Sequence, residues 1–408
     1  MSTAPQNIVV VGASLAGLRG VQALRAAGYR GRLTLVGAER HAPYDRPPLS
    51  KEFLAGRTGP TDISLEPAAD LGLTELYGHR ALHLDTTAQE VHLDDGSVLP
   101  YDGLLIATGA GARLWNSPRP RSGVHTIRTI DDARALKEDL TAARRRLLIV
   151  GAGFIGCEVA SVARELDHEV TLVSTEPLLL QEALGHEAAA FLTQLHHDAG
   201  VEILPSSTVS ALHGHERIEG CTVNSTWRIA ADTALLALGA RPHTDWLITS
   251  GLNTDRGLAT DEYTRALRAD GRPDHRVVAA GDITRFPHPH APEPIQLGHW
   301  SNAVEQAQTA AHNLLNPHNP KAYRQVASFW TTQYGVRFRA VGLPRYADHT
   351  EVRELDPENK RLDIAYYRAG RLIGALTANR AARITAYQAA LAEEISLADH
   401  AREPHHAT

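Results

Sequence analysis

The chain has 408 residues, which allows two to four domains at roughly 100–200 residues each. Apolar residues make up 43% of it and charged residues 22%, so disordered and fibrous proteins are excluded. The net charge of −6 argues against a nucleic-acid-binding protein, which usually carries a basic domain.

The composition gives little support to thiol or metal chemistry. The only cysteines are Cys157 and Cys221, so no disulfide framework, CxxC redox pair or iron–sulfur ligand set can form. The 22 histidines show no spacing typical of metal ligands, and we predict no metal site. The sequence shows no basic signal segment and no run of about 20 apolar residues, which predicts a cytoplasmic protein without a membrane partner.

The first structural unit is a strand, a glycine-rich turn, a helix and a second strand. NIVVV (residues 7–11) predicts the first strand, and the turn GASLAG (residues 12–17) follows it directly. Apolar residues then recur at every third position, as on the buried face of a helix that ends at Gly28. RLTLV (residues 32–36) predicts the second strand, and Glu39 lies just beyond its end.

The same unit recurs about 140 residues later, with LLIV (residues 147–150), GAGFIG (residues 151–156) and HEVTLV (residues 168–173) in the corresponding places. Such turns bind a pyrophosphate, because glycines permit a close backbone approach and the helix N-terminus offers free N–H groups. Ser14 replaces the middle glycine of the first copy, which weakens the match without breaking it. Two copies indicate two dinucleotides, a resident flavin and a visiting nicotinamide that exchange a hydride.

Three further strands end in glycine: LLIATG (residues 104–109), ALLALG (residues 234–239) and VVAAGD (residues 277–282). After about residue 325 the pattern changes to alternating segments typical of antiparallel strands, followed by a helix over residues 383–395. We predict an α/β fold with two Rossmann-like dinucleotide-binding domains and a C-terminal α+β domain. The predicted boundaries are 1–110 with 237–324 for the FAD domain, 111–236 for the NAD(P) domain and 325–408 for the third.

The segment PYDRPPLSKEFL (residues 43–54), directly after Glu39, resembles the FAD-binding segment of the oxygenase-coupled ferredoxin reductases. The resemblance spans nearly the whole chain in collinear order, through LLIATGA (104–110), VHTIRTIDDA (124–133), GAGFIGCEVA (151–160), ALGARPHTDWL (237–247), VVAAGDITRFPHP (277–289), HWSNAVEQA (299–307) and FWTTQYG (329–335). It implies FAD and NADH as cofactors, bound by two dinucleotide domains arranged as in glutathione reductase.

The resemblance also implies which residues surround FAD. Its pyrophosphate is expected at Gly12, Ser14 and Gly17. Glu39 is expected to bind its adenosine ribose, and Arg46 is expected to neutralise the charge of its phosphates. The flavin itself is expected beside a set that includes Lys51, whose cation near N5 stabilises reduced flavin, and Asp282, which bonds the ribityl chain. The other FAD-binding residues implied are Ala16, Ala107, Thr108, Gly109, Arg128, Gly281, His299, Trp300 and Trp330.

For the nicotinamide dinucleotide, the resemblance implies pyrophosphate binding by Gly151, Gly153 and Gly156. Glu158 and Glu305 resemble the carboxylates that these reductases place near the nicotinamide ring. Further cofactor-binding residues implied are Phe154, Ile155, Ser174 and Gly239. The group expected to act in catalysis is Lys51, Glu158, Glu305 and Trp300.

The sequence departs from the pattern of these reductases at three places. Ser174 stands where NADH-dependent members often carry a glutamate, with Glu176 two residues later. Because no arginine cluster follows to bind a 2′-phosphate, we predict NADH and leave NADPH open. Gly298 and Thr332 each replace a carboxylate close to the expected flavin face.

The activity implied is transfer of electrons from NADH through FAD to a [2Fe–2S] ferredoxin that serves a cytochrome P450 or a Rieske-type oxygenase. Such ferredoxins are commonly acidic, so we expect a basic docking patch, with Arg337 and Arg339 as candidates. A monomer or weak homodimer is expected. One alternative is a reductase of rubredoxin, or the flavoprotein module of a nitrite reductase. The other is an NADH-sensing flavoprotein that resembles apoptosis-inducing factor.

Overall fold

The computed structural model describes residues 5–65 and 71–400, and the side chains of residues 396–400 are not described. Residues 1–4, 66–70 and 401–408 of the predicted domains lie outside the described residues. The first elements in chain order are β1 (Asn7–Val11), α1 (Leu15–Ala26), β2 (Arg32–Gly37), β3 (Thr74–Tyr77), β4 (Ala81–Asp85), β5 (Glu90–Leu93), β6 (Val98–Pro100), β7 (Gly103–Ile106), β8 (Ala110–Ala112) and β9 (Val124–His125).

The middle of the chain holds α2 (Ile130–Ala142), β10 (Arg146–Val150), α3 (Phe154–Glu165), β11 (Glu169–Val173), α4 (Gln181–Leu184), α5 (His186–Asp198), β12 (Glu202–Leu204), β13 (Val209–His213), β14 (Gly220–Val223), β15 (Trp227–Ala230), β16 (Thr233–Leu236) and β17 (Ala240–Pro242). The last part holds β18 (Leu258–Ala259), β19 (Arg265–Leu267), β20 (Pro273–Ala279), β21 (Thr284–Arg285), α6 (Trp300–Leu315), β22 (Ser328–Gln333), β23 (Val336–Gly342), β24 (His349–Asp356), β25 (Arg361–Arg368), β26 (Arg371–Ala378) and α7 (Ala381–His400). Short 3-10 helices form at Pro47–Ser50, Asp245–Leu247 and Pro344–Tyr346.

The first sheet has the strand order β19-β20-β7-β1-β2-β3. Its strands pair in parallel except at β19, which is antiparallel to β20. The parallel strands are runs of Val, Leu and Ile because both faces of the sheet are covered. Since β1, β7 and β20 end at the same edge, the turn at residues 12–17 meets the loops at 107–109 and 280–282, where ligands bind in open α/β sheets.

The second sheet repeats this arrangement with strands from residues 124–236 alone. Its order is β12-β11-β10-β16-β9, and all four pairs are parallel. The second glycine turn joins β10 to α3, as the sequence predicts. Strands β8 and β17 pair antiparallel. The segment that leaves the first sheet and the segment that returns toward it therefore lie side by side.

The packing of α1 on α6 fixes the wall of the first sheet that matters for the site. Leu18, Val21 and Leu24 on α1 are fully buried in one cluster with Ala307 and Ala311 of α6. Each buried leucine contributes about 1.5–3 kcal/mol, and the small alanines let the two helices approach closely. The start of α6 is thereby held over the edge of the sheet where β1 and β20 end.

The C-terminal part is an antiparallel sheet in the order β22-β23-β26-β25-β24, covered on one face by α7. The closing helix is longer than the residues 383–395 that the sequence predicts. Two parallel sheets followed by an antiparallel sheet and helix confirm the predicted fold class. Within residues 5–65 and 71–400, no helix combines the length and the apolar character that crossing a membrane requires.

Candidate active site

A cleft of about 600 Å³ opens at the carboxyl ends of the strands of both parallel sheets. It runs from the first glycine turn to the N-terminus of α3, and residues from β22 complete its wall. Eighteen of the predicted site residues line it: Gly12, Ser14, Ala16, Glu39, Arg46, Lys51, Ala107, Thr108, Gly109, Arg128, Phe154, Ile155, Glu158, Gly281, Asp282, His299, Trp300 and Trp330.

The first glycine turn requires glycine for steric reasons. Gly12 has φ +118°, and a Cβ added there would lie 2.0 Å from the carbonyl oxygen of Ala107. A Cβ on Gly17 would lie 1.8 Å from the carbonyl oxygen of Gly12, so the helix packs directly on the turn. Ser14 is the N-cap of α1, but its hydroxyl accepts a hydrogen bond from Arg46 Nε at 3.2 Å instead of capping the helix. Ser14 therefore leaves the first N–H groups of α1 available to bind an anion.

The carboxylate of Glu39 is fixed at the end of β2 by two donors. Arg46 Nη2 lies 2.7 Å from Glu39 Oε1, and the hydroxyl of Tyr44 donates to Oε2 at 2.5 Å. Arg46 thus joins the expected ribose-binding acid to Ser14 in the glycine turn. Burial and the neighbouring carboxylate together raise the pKa of Tyr44, so its hydroxyl stays a donor.

Asp282 occupies the corresponding place after β20. Its Oδ2 lies 2.5 Å from Arg128 Nη2, and Arg128 Nε also donates to the carbonyl oxygen of Ala110 at 2.9 Å. The N–H of Gly281 donates to Gln306 Oε1 at 2.8 Å, which ties this loop to α6. A carboxylate and a guanidinium are therefore held rigidly beside the cleft.

Lys51 and Glu158 form an ion pair where three parts of the chain meet. Lys51 Nζ lies 2.8 Å from Glu158 Oε2, and the side chains are only 11% and 7% exposed. The hydroxyl of Ser50 donates to the same oxygen at 2.5 Å, and that of Thr331 donates to Glu158 Oε1 at 2.7 Å. Buried charges are stable only when paired and hydrogen-bonded in this way.

A pair of tryptophans leads from the cleft to the surface. The rings of Trp300 and Trp330 lie 6.1 Å apart in an edge-to-face arrangement, and Trp330 is 45% exposed. The indole N–H of Trp300 donates to Asp45 Oδ1 at 2.9 Å, and burial raises the pKa of that aspartate. The two indole rings therefore connect the cleft to the solvent-exposed surface through aromatic contact.

Seven predicted residues lie outside the cleft wall: Gly17, Gly151, Gly153, Gly156, Ser174, Gly239 and Glu305. The glycines at 17, 151, 153 and 156 form the backbone of the two turns, and Cβ atoms on Gly151 and Gly156 would clash with backbone as in the first turn. Ser174 is buried, and its hydroxyl accepts from the N–H of Glu176 at 3.1 Å.

Glu305 is the expected carboxylate that the structure does not bring to the cleft. It lies on an exposed position of α6, whereas Glu158 is buried against Lys51. The reason is helical geometry: five residues correspond to a rotation of about 140° modulo full turns, so Glu305 cannot share the face of Trp300. Sequence reasoning also missed Asp45, Ser50 and Thr331. These three stand inside PYDRPPLSKEFL and FWTTQYG, so a search for donors and acceptors within those segments could have found them.

The hydrogen-bond donors and acceptors of the cleft fit a flavin dinucleotide. It offers the free N–H groups of α1, the carboxylates of Glu39 and Asp282, and an imidazole nitrogen. His299 Nδ1 is buried and has no hydrogen-bond partner within residues 5–65 and 71–400. Burial lowers the pKa of His299 to about 4, so the imidazole is neutral at pH 7 and its free nitrogen suits a ligand group.

Both cysteines are free and buried, on α3 and β14. Burial raises the pKa of both thiols, that of Cys221 to about 11, and reactive cysteines instead have lowered values. Neither residue lines the cleft. The site therefore offers no thiol for disulfide chemistry.

Comparison with known proteins finds two matching family models, pyridine nucleotide-disulphide oxidoreductase over residues 6–312 and reductase C-terminal over residues 328–405. Rhodocoxin reductase of Rhodococcus erythropolis is 33% identical over 396 residues, 96% of this chain and 90% of that protein. The ferredoxin reductase component of chlorobenzene dioxygenase from Cupriavidus sp. (strain PS12) is 36% identical over 82% of this chain and 80% of its own. The crystal structure of the covalent putidaredoxin reductase-putidaredoxin complex matches with a TM-score of 0.88 and 27% identity, covering 96% of this chain and 94% of that one.

Proposed function

Because the chain belongs to the pyridine nucleotide-disulphide oxidoreductase family, we propose that it is an FAD-dependent NADH:ferredoxin reductase. Its acceptor is a [2Fe–2S] ferredoxin that serves a cytochrome P450 or a Rieske-type oxygenase. Membership of the family implies use of a flavin and a pyridine nucleotide. Relatives named as a rhodocoxin reductase and as a ferredoxin reductase component of a dioxygenase support this acceptor class. A cytoplasmic setting is part of the same proposal.

The observation that carries the proposal is one cleft that runs from the first glycine turn to the N-terminus of α3, the helix that follows the second glycine turn, with the Lys51–Glu158 ion pair in its wall. The cleft extends from Gly12 to Ile155, so a flavin on one side and a nicotinamide on the other share the wall formed by Lys51 and Glu158. The exposed edge of Trp330 offers an exit for electrons. When bound, FAD supplies a carrier that takes a hydride from NADH and releases electrons singly.

We assign each of these residues a separate role in binding FAD. The α1 N-terminus binds the FAD pyrophosphate, and Glu39 binds the adenosine ribose. Asp282 holds the ribityl chain, and Lys51 places its positive charge where reduced flavin builds negative charge. We assign the FAD domain to residues 1–110 and 237–324, the NAD(P) domain to 111–236 and the third domain to 325–408.

NADH is proposed over NADPH because of the end of β11. The hydroxyl of Ser174 holds the N–H of Glu176, and the carboxylate of Glu176 accepts from the N–H of Glu182 at 2.7 Å. Ser174, the residue directly after β11, thus presents a buried hydroxyl, and Glu176 two residues later presents a carboxylate, which repels a 2′-phosphate.

The proposal is tested by identifying the released flavin and by anaerobic mixing with each nucleotide. We expect FAD in the supernatant after heat denaturation. We also expect NADH to bleach the bound flavin with a second-order rate constant about 10-fold or more above that for NADPH. Release of FMN, or failure of both nucleotides to bleach the flavin, contradicts the proposed function. Faster reduction by NADPH contradicts the nucleotide assignment alone.

The ferredoxin is proposed to dock on the groove beside Trp330. Arg339 pairs with Trp330 across β22 and β23, Arg337 pairs with Thr332, and these four residues line the groove together with Glu52. Both arginines are exposed, and they supply local positive charge in a chain whose net charge is −6.

Reversal of these two charges, Arg337→Glu with Arg339→Glu, should lower kcat/KM for an acidic [2Fe–2S] ferredoxin about 10-fold at low ionic strength, because steering by opposite charge is lost. The difference should shrink as salt screens the charges. Steady-state reduction at several salt concentrations measures this, while flavin reduction by NADH should stay unchanged. Arg228→Glu with Arg256→Glu is the matched control, since both arginines are exposed and lie outside the groove. An equal loss in the control contradicts docking at this groove.

A further inference from the structure

A buried chain of hydrogen bonds extends from Glu158 into the C-terminal sheet. The hydroxyl of Thr331 donates to Glu158 Oε1 at 2.7 Å, and Gln333 Nε2 donates to Thr331 Oγ1 at 3.3 Å. Thr331 and Gln333 are 1% and 0% exposed, and both point inward from β22. Polar groups buried this deeply are stable only as part of a satisfied network.

This chain of hydrogen bonds continues to α5 through the imidazole of His196. His196 Nε2 lies 2.9 Å from Gln333 Oε1, and the hydroxyl of Tyr334 lies 2.9 Å from His196 Nδ1. His196 is fully buried, and burial lowers its pKa to about 4. The imidazole therefore carries one proton at pH 7, and its two nitrogens have different roles.

The carboxylate of Glu158 fixes the donor and the acceptor of every hydrogen bond in this buried chain of hydrogen bonds. A carboxylate only accepts, so the single hydroxyl proton of Thr331 must point to Glu158. Thr331 must then accept from the amide nitrogen of Gln333, which turns the amide oxygen toward His196. His196 must carry its proton on Nε2 and accept from Tyr334 through Nδ1. All four donors thus point toward Glu158.

We propose that Thr331, supported by Gln333, His196 and Tyr334, is a positioning residue that sets how the Glu158–Lys51 pair faces the flavin cleft. Glu158 Oε2 is bound by Ser50 and Lys51, whereas Oε1 is bound by Thr331. Without that hydroxyl, Oε1 is a buried anionic oxygen with one donor fewer. It then draws the ammonium of Lys51 toward itself and weakens the positive charge presented to the cleft.

This inference rests on the proposed function only in placing a flavin beside Lys51. Its test therefore uses the flavin midpoint potential, measured by photoreduction against redox dyes, which requires neither NADH nor a ferredoxin. Failure of NADH to reduce the wild-type protein refutes the proposed function and leaves this measurement intact.

Three variants of the flavin-loaded protein distinguish positioning from packing. Thr331→Val keeps the shape and removes the donor, and Thr331→Ser keeps the donor. Thr377→Val is the matched control, because Thr377 is 1% exposed on β26 of the same sheet and its hydroxyl has no partner within the described ranges 5–65 and 71–400.

The expected result is a potential about 30 mV lower in Thr331→Val, a tenfold change in the two-electron equilibrium constant. Thr331→Ser and Thr377→Val should keep the wild-type potential, and ¹⁵N NMR of the wild-type protein should show the His196 proton on Nε2. The proposal is overturned by an unchanged potential in Thr331→Val, by equal shifts in Thr331→Ser or Thr377→Val, or by a proton on His196 Nδ1.

Discussion

Replacement of Lys51 by methionine should slow the reduction of the flavin by NADH about 100-fold, the scale of losing one electrostatic group from an enclosed site. The cause is that Lys51 is the cation of the ion pair at the cleft, held 2.8 Å from Glu158 at 11% exposure. Methionine keeps most of the volume and removes the charge. Stopped-flow absorbance of the flavin under anaerobic conditions measures the rate.

The same replacement leaves the Glu158 carboxylate buried without its counter-ion, which should lower the free energy of unfolding by about 3–5 kcal/mol. The double variant Lys51→Met with Glu158→Gln removes both charges and should recover most of that stability while flavin reduction stays slow. This control separates folding from electrostatics. A wild-type rate in Lys51→Met contradicts the role assigned to the cation, and a full recovery of the rate in the double variant contradicts it as well.

Substitution of Gly12 by alanine should weaken FAD binding about 100-fold, equivalent to about 3 kcal/mol from overpacking and backbone shift. The added Cβ would lie 2.0 Å from the carbonyl oxygen of Ala107, and φ is +118°. The backbone on both sides of the turn must move, and the N–H groups of α1 move with it. The ratio of flavin to protein absorbance after purification, followed by titration of the apoprotein with FAD, measures the loss.

Gly28→Ala is the matched control for this substitution. Gly28 also has a positive φ, +89°, but a Cβ there would meet nothing within 4 Å. It should show only the cost of the left-handed conformation, about 1–2 kcal/mol of stability, with FAD binding unchanged. If Gly12→Ala retains stoichiometric FAD with wild-type affinity, the first glycine turn is not the site where the dinucleotide binds.

The features that sequence could predict are those set by local backbone demands. A strand, a tight glycine turn and a helix within about 30 residues form a unit whose geometry is local, so both copies and the acid after β2 could be recognised directly. Long buried runs such as NIVVV likewise predict central parallel strands. The fold class and the family therefore followed from motifs of this kind.

Contacts between distant parts of the chain could not be predicted in this way. Thr331 bonds to Glu158 across 173 positions, and only the packing of β22 against α3 brings them together. The sequence also did not show which face of a helix borders the cleft: Trp300 and Glu305 both lie on α6, but only Trp300 lines the cleft. The roles of individual residues toward FAD and NADH remain predictions.

The proposed passage of electrons from NADH through this protein to a ferredoxin can be measured by steady-state turnover. The purified protein is mixed with NADH, a [2Fe–2S] ferredoxin and cytochrome c as final acceptor. We expect rapid reduction of cytochrome c that requires the ferredoxin and saturates with it. Rapid bleaching of the flavin by NADH without any ferredoxin-dependent rate, across several [2Fe–2S] ferredoxins, would contradict it.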